Sequence, residues 1–482
     1  MDAEMVGGPL GDIGTDEFRA AAHRAVEWIG DYLDTIRERP VIPPVGPGDI
    51  RRSLPSTPPE QGERLEAIFE DFESLILPGI THWNHPRFFG YFGITGSTPG
   101  ILAELLIAAL NVNAMLWRTS PAATELEEVA CDWLRQAIGL PKGFSGVIND
   151  TASSSTLYAL AAAREAVPHL EIRRHGMSRQ SLRMYISEEA HSSVEKAGIV
   201  LGVGQDNVVK IPTDSVFRMD VGALEKAIRR DRKAGHHPFA VVATVGTTSV
   251  TAVDPVPAIA GVCADEKLWL HVDAAYGGAA AVLESHRWVL SGCDSADSLV
   301  VNPHKWLFTP IDCSVLYCRH ENMLKRAFSL TPAYLKTDEA GVRNLMDYGA
   351  SLGRRFRGLK LWFVLRAFGI DGARRRIAAH IDMAQQLRGW IEADPDFEML
   401  APTTFSTVVF RRRSSDPDNE RIHDEVNGSG RALISHTEVR GVYALRIAIG
   451  NLRTTLEDVR ETWELIKSIG AEAQAQTNSV HK

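Results

Sequence analysis

Two charged side chains, Asp273 and Lys305, each stand at or just past the exit of a short apolar run, residues 268–272 and 299–301. Both runs read as strands, and in an open parallel sheet chemistry collects at the carboxyl ends of strands. A lysine amine bonds to an aldehyde as a Schiff base, and a carboxylate holds a proton on a pyridine nitrogen. Together they are what pyridoxal 5'-phosphate needs to act as an electron sink. Ala274 and Ala275, beside Asp273, leave room for a flat ring, and Pro303 fixes the turn before Lys305. Asn302 and His304 add donors near the same spot. A lysine of this kind works with a lowered pKa, because the amine must lose its proton to attack.

Other residues read two ways. Thr151, Ala152 and Ser153 precede a helical pattern. Free N–H groups and the helix dipole make that position an anion site, here for a phosphate, or the residues are N-caps only. His191 falls between a strand-like run and a helix, where an imidazole either stacks on a flat ring or serves as a structural hydrogen-bonder. Thr247 and Thr248 are cofactor contacts or turn residues. Arg446, near the end of a late strand, meets a substrate carboxylate or, the favoured reading, braces its domain.

These groups need a scaffold that brings strand ends together. From about residue 101 to 369, helical segments (125–138, 155–166, 221–234, 256–265) interleave with strand-like runs (184–187, 208–211, 239–245, 268–272, 299–301, 313–318). That alternation predicts an α/β fold with a mostly parallel sheet flanked by helices. Ahead of it, 16–37 and 65–76 read as amphipathic helices joined by a proline-rich connector over 40–59 without regular structure. They are expected to pack on a second subunit rather than on each other. A helix over 371–392, strands over 406–410 and 443–449, and a last helix over 457–469 form an α+β tail. The expected division is 1–95, 96–370 and 371–482.

Composition sets the outer limits. The 482 residues are 44% hydrophobic with a net charge of −9, so no basic surplus points to nucleic acid. The longest apolar run, near 101–112, is too short to span a bilayer, and the first residues lack the pattern of a secretory signal. Five scattered cysteines without a CxxC pair suggest reduced thiols, no metal framework and a cytoplasmic location.

The segments NPHKW, HVDAAYGG, EAHSSVEKAG, SPAATELE and LGRRFRGLKLWFVLR resemble, in order, those of the pyridoxal-phosphate group II amino acid decarboxylases, closest to the aromatic-L-amino-acid decarboxylases. The resemblance implies a fold-type I, aspartate-aminotransferase-like subunit with an N-terminal segment that clasps its partner. It also implies a homodimer with active sites at the interface. By position it makes Lys305 the Schiff-base lysine, Asp273 the pyridinium partner and His191 the ring-stacking imidazole. Thr151, Ala152, Ser153, Asn302 and His304 fall on the phosphate side, and Thr248 and Ala275 on cofactor contacts. Tyr334 matches the tyrosine of a catalytic loop thought to return a proton after carbon dioxide leaves; phenylalanine there marks related aldehyde synthases. Residues 337–341 suit a mobile lid.

Departures from the family bear on substrate. A Tyr-Phe-Pro-Thr segment becomes Tyr91, Phe92, Gly93, Ile94, so the hydroxyl that would meet a catechol is gone. Asn113 and Met115 replace isoleucine and phenylalanine across the dimer, and Gly353 matches the glycine of indole-preferring enzymes. A smaller residue admits a wider ring, and a polar group left unpaired is penalised. The expected reaction is therefore decarboxylation of tryptophan or phenylalanine ahead of tyrosine or dopa. An aldehyde synthase and a decarboxylase of a non-aromatic amino acid are the alternatives.

Overall fold

The computed structural model describes residues 12–167, 170–177, 181–330, 339 and 341–480. Their contacts divide the chain into two compact units: Met1–Gly90 with Ser415–Ser435 and Arg453–Lys482, and Tyr91–Ser414 with His436–Leu452.

The larger unit carries seven strands: β1 (Ser145–Asn149), β2 (Leu182–Ser187), β3 (Val208–Ile211), β4 (His237–Thr244), β5 (Trp269–Asp273), β6 (Ser298–Val301) and β7 (Ser314–Cys318). They lie in the order β1-β7-β6-β5-β4-β2-β3. Pairing is parallel from β6 through β5, β4 and β2 to β3, while β7 runs against both its neighbours. Because β1 and β6 both oppose β7, they point the same way, and the ends of β1, β2, β4, β5 and β6 share one edge. The expected α/β class with a mostly parallel sheet is what the chain forms. β1 is the strand not anticipated: SGVIN is short, contains a glycine and lacks a clear alternation.

Side-chain alternation gives the sheet two apolar faces. Val241, Ala243, Leu270 and Val272 face one core with Leu134, Ile259 and Leu361. Ala240, Val242, Met184 and Ile186 face the other with Leu160, Val194 and Leu324. The helical stretch Gly358–Ala393 is two helices separated by a break at Gly369, φ 63°, and the second, ending at Ala393, is the helix expected over 371–392. A second sheet, in the order β10-β11-β9-β8, contains β8 (Phe397–Met399), β9 (Thr407–Arg412), β10 (Ser435–Val439) and β11 (Val442–Ala448).

The smaller unit corrects two expectations. The helix Thr15–Asp34 and the segment after Leu65 pack on each other: Trp28 meets Phe72 edge-on at 5.1 Å and Phe69 at 6.4 Å, and Arg24 pairs with Glu73 at 3.0 Å. Aromatic rings bury more surface per residue than the stripe count implied, so two short helices do make a contact of their own. The connector also holds a helical turn, Asp49–Ser53, started by Gly48 at φ 92°. Phe18 and Val26 nevertheless remain about half exposed.

Candidate active site

The register of the parallel strands aligns the functional residues. Asp273 is the last residue of β5 and sits opposite Thr244 of β4 and Val300 of β6. Its side chain is 6% exposed, and Oδ1 accepts the Ala275 amide at 3.1 Å. Among the described residues Oδ2 has no hydrogen bond, so one oxygen is free for a ligand. Gly277 follows at a point where a Cβ would lie 2.5 Å from the Val245 carbonyl oxygen, which is why the chain turns there on glycine.

Lys305 lies in a single helical turn, Pro303–Trp306, directly after β6. It is half-buried, and the protein packed around it removes much of its hydration. Desolvation lowers its pKa, Arg446 lowers it further and Asp273 opposes. His191 caps the helix Ser192–Val200, its Nδ1 accepting the Ser193 amide at 3.2 Å. With Nδ1 occupied as an acceptor, the ring proton belongs on Nε2. Although the residue is exposed in the single chain, desolvation lowers the pKa of its imidazole; Asp273 opposes and Lys305 reinforces that shift. Asp273, Lys305 and His191 therefore lie within electrostatic reach of one another.

Lys305 also rests on an aromatic column not foreseen from the sequence. Phe92 stacks on Tyr276 at 3.9 Å and Tyr276 on Trp306 at 4.8 Å, both nearly parallel. The Tyr276 hydroxyl meets Ser406 Oγ at 2.8 Å. Arg446, 3% exposed, donates to the carbonyls of Tyr91 and Ser249 and lies against Phe92. Of its two readings, bracing is the one these contacts support. The brace holds Tyr91 at φ 54°, a left-handed conformation unusual for a residue with a side chain. At Gly93 a Cβ would stand 3.0 Å from the Gly450 backbone, so a larger residue there would have to push that backbone aside.

The phosphate-side residues gather at the ends of β1 and β6. Thr151 is the N-cap of the helix Ala152–Glu165 and makes no side-chain cap bond. Ala152 and Ser153 open the first turn, with their N–H groups at the positive end of the dipole. Behind them Asn149 Nδ2 donates to Ser155 Oγ at 3.1 Å, and Ser155 Oγ meets Ser314 Oγ at 2.9 Å. His304, whose pKa burial pushes down to about 3, accepts the Cys313 amide on Nδ1 at 2.9 Å. Asn302 Nδ2 is placed 3.3 Å from Nε2, but with Nδ1 accepting, the neutral ring carries its proton on Nε2 and needs an acceptor there, so we assign the Asn302 amide the opposite way round, with its oxygen toward His304. The other amide atom of Asn302 is buried with no partner among the described residues. It is the NH2, a donor waiting for an acceptor. A buried unpaired donor, a helix N-terminus, a desolvated lysine and a carboxylate with a free oxygen are the donor set that an anionic arm, an aldehyde and a pyridine nitrogen require. The residues fit pyridoxal phosphate.

The remaining predicted residues divide. Ala275 is buried beside Asp273, and Thr248 is exposed next to buried Thr247. Asn113, Met115 and Gly353 form a surface group: Asn113 Oδ1 accepts the Arg354 amide at 2.9 Å, and its Nδ2 lies 3.5 Å from Met115 Sδ. Among the described residues a Cβ at Gly353 would meet only Asn113 Nδ2, at 3.9 Å. Tyr91 is 61% exposed, Phe92 is buried and Ile94 half-buried. Tyr334 lies outside the described residues, as does most of 337–341. Tyr276, Trp306 and Ser406 were missed; a sequence signal existed only for the first two, aromatic residues inside HVDAAYGG and NPHKW.

Comparison with known proteins agrees with this geometry. Residues 47–413 match the model of the pyridoxal-dependent decarboxylase conserved domain. The aromatic-L-amino-acid decarboxylase of Sus scrofa is 39% identical over 475 residues, 95% of this chain and 97% of that protein. Tyrosine decarboxylase 4 of Petroselinum crispum is 39% identical over 95% of this chain and 94% of its own. The crystal structure of Oryza sativa TDC with PLP and tryptamine superposes with a TM-score of 0.92 at 36% identity, covering 97% of this chain and 99% of that one. The chain belongs to the pyridoxal-dependent decarboxylase family and is a carboxy-lyase that works with pyridoxal 5'-phosphate.

Proposed function

We propose that this enzyme decarboxylates an aromatic L-amino acid, favouring tryptophan or phenylalanine over tyrosine or dopa. The observation that carries the preference is the open space at Gly353 beside Asn113, which leaves room for a wide ring, together with Ile94, which offers a phenol or catechol no hydrogen bond. The similar proteins support an aromatic substrate, since their names include aromatic-L-amino-acid and tyrosine decarboxylases.

Pyridoxal phosphate, when bound, takes up the electron pair left by departing carbon dioxide. Lys305 supplies the amine that holds the cofactor, its lowered pKa keeping more of it unprotonated. Asp273 would keep the ring nitrogen of the bound cofactor protonated and stabilise its charge through its free oxygen. Asn302, His304 and the turn Thr151, Ala152, Ser153 would hold the phosphate, and Ala275 and Thr248 would line the ring. His191 would lie over a face of the bound ring, and His191 or Tyr334 would be the group that supplies a proton to the substrate carbon.

The working form is a homodimer with interfacial sites, in which Asn113, Met115 and Gly353 of one subunit line the pocket of the other. Leu102, Leu105, Leu106 and Leu110 support this, being 45–59% exposed on the helix Thr98–Leu110. The N-terminal segment, 1–95, clasps the partner, 96–370 binds the cofactor, and 371–482 is the small domain. Five buried, unpaired thiols fit a cytoplasmic location. Among the described residues no helix is long and apolar enough to cross a membrane.

Turnover of a panel of amino acids, with amine, carbon dioxide, ammonia and peroxide all measured, tests this. Tryptophan or phenylalanine should give amine and carbon dioxide in equal amounts. Equal or better turnover of dopa than tryptophan would reject the preference, and ammonia with peroxide would reassign the chain as an aldehyde synthase.

A further inference from the structure

We propose that Arg354 is a positioning residue that ties the turn holding the cofactor phosphate to the segment carrying Asn113, Met115 and Gly353. This rests on the roles given above to those two regions. β1 is an edge strand, so alternate residues turn both backbone groups away from β7 with no further strand to receive them. At Ile148 a buried ion pair takes that place. Glu127, 1% exposed, accepts the Ile148 amide at 2.8 Å; Arg354, 8% exposed, donates to the Ile148 carbonyl at 2.9 Å. The two side chains meet at 2.7 Å. Three residues beyond Ile148 comes Thr151, where the phosphate turn begins.

The backbone of the same arginine holds the other region. Its amide donates to Asn113 Oδ1, and its carbonyl accepts the Ala114 amide at 2.8 Å. One residue thus grips the strand edge with its guanidinium Nη2 and the specificity segment with its main chain. A buried, hydrogen-bonded charge pair tolerates little rearrangement, so a shift on one side moves the other. In the proposed dimer the segment lines the partner's pocket, and the link then runs from one subunit's cofactor to the next subunit's substrate.

Arg354→Lys keeps the charge, but its amine has a shorter reach than Nη2, the nitrogen that donates to both Glu127 and the Ile148 carbonyl. Pyridoxal phosphate release, followed as loss of visible absorbance on dilution of the holoenzyme, should quicken on the order of tenfold, the usual cost of removing a support behind a ligand. The ratio of kcat/KM for tryptophan and phenylalanine should shift in the same variant, through KM more than kcat. Glu127→Gln, which still accepts the Ile148 amide, is the second variant should the first fold poorly. Tyr185→Phe removes another buried bond, to Asp231 at 3.0 Å, and should lower Tm while leaving release and ratio alone. If Arg354→Lys and Glu127→Gln behave like Tyr185→Phe, the link is refuted. The release measurement needs no substrate; a wild-type enzyme inactive on both amino acids overturns the substrate reading, and release alone then decides this one.

Discussion

Lys305 holds its amine 5.0 Å from the centre of the Phe92 ring, and the Arg446 guanidinium lies 4.8 Å from the same centre. Two cations thus share one aromatic neighbour, and Arg446 depresses the Lys305 pKa that burial has already lowered. Replacing Arg446 with glutamine should raise the pKa of the lysine. In protein depleted of cofactor, the pH midpoint for recapture of pyridoxal phosphate, read as returning visible absorbance, should move up. A midpoint that stays put or falls would show that Arg446 does not act on the amine.

Gly353→Ser tests the pocket without threatening the fold, since among the described residues an added Cβ meets nothing nearer than 3.9 Å. Tm should hold, while kcat/KM for tryptophan relative to tyrosine should fall by about tenfold, roughly 1.4 kcal/mol of discrimination. An unchanged ratio would remove Gly353 from the specificity argument.

Stability should fall on the acid side of neutrality. Burial pushes His271 and His380 down to about 4 and His304 to about 3, from an ordinary value near 6.5. The unfolded chain takes up these protons near pH 6.5, whereas the folded protein resists them. The stability they contribute is therefore full above that pH and is lost as pH drops through about 4. Tm measured across that range should decline with falling pH; a level curve down to about pH 5 would contradict the assignment.

Leu102→Glu with Leu106→Glu places two charges on the exposed face of the helix Thr98–Leu110. Light scattering should show the dimer giving way to monomer, with activity lost and the circular dichroism of the subunit kept. An active monomer would argue that each subunit completes its own pocket.

Much of the site was legible because it depends on strand order and on residues adjacent in sequence. A strand must end before its charged residue can emerge, so local apolar runs followed by Asp273 and Lys305 marked two ends of one sheet edge. The α/β class follows from equally local patterns, and so does the helix after β1, although it begins at Ala152, three residues before the expected start at 155. Other features depend on contacts between distant segments, to which periodicity is blind. The stack of Phe92, Tyr276 and Trp306 joins residues from three parts of the chain. Helix-on-helix packing at Trp28 was misjudged because a stripe count ignores how much area a ring buries. Which nitrogen of His304 carries its proton, and hence which end of the Asn302 amide faces the ligand, was decided by the Cys313 amide, nine residues away in sequence and brought back by the start of β7. Sequence alone thus determined which chemical groups the enzyme owns; folding determined their protonation, their burial and the neighbours that tune them, because those properties belong to the space around a side chain.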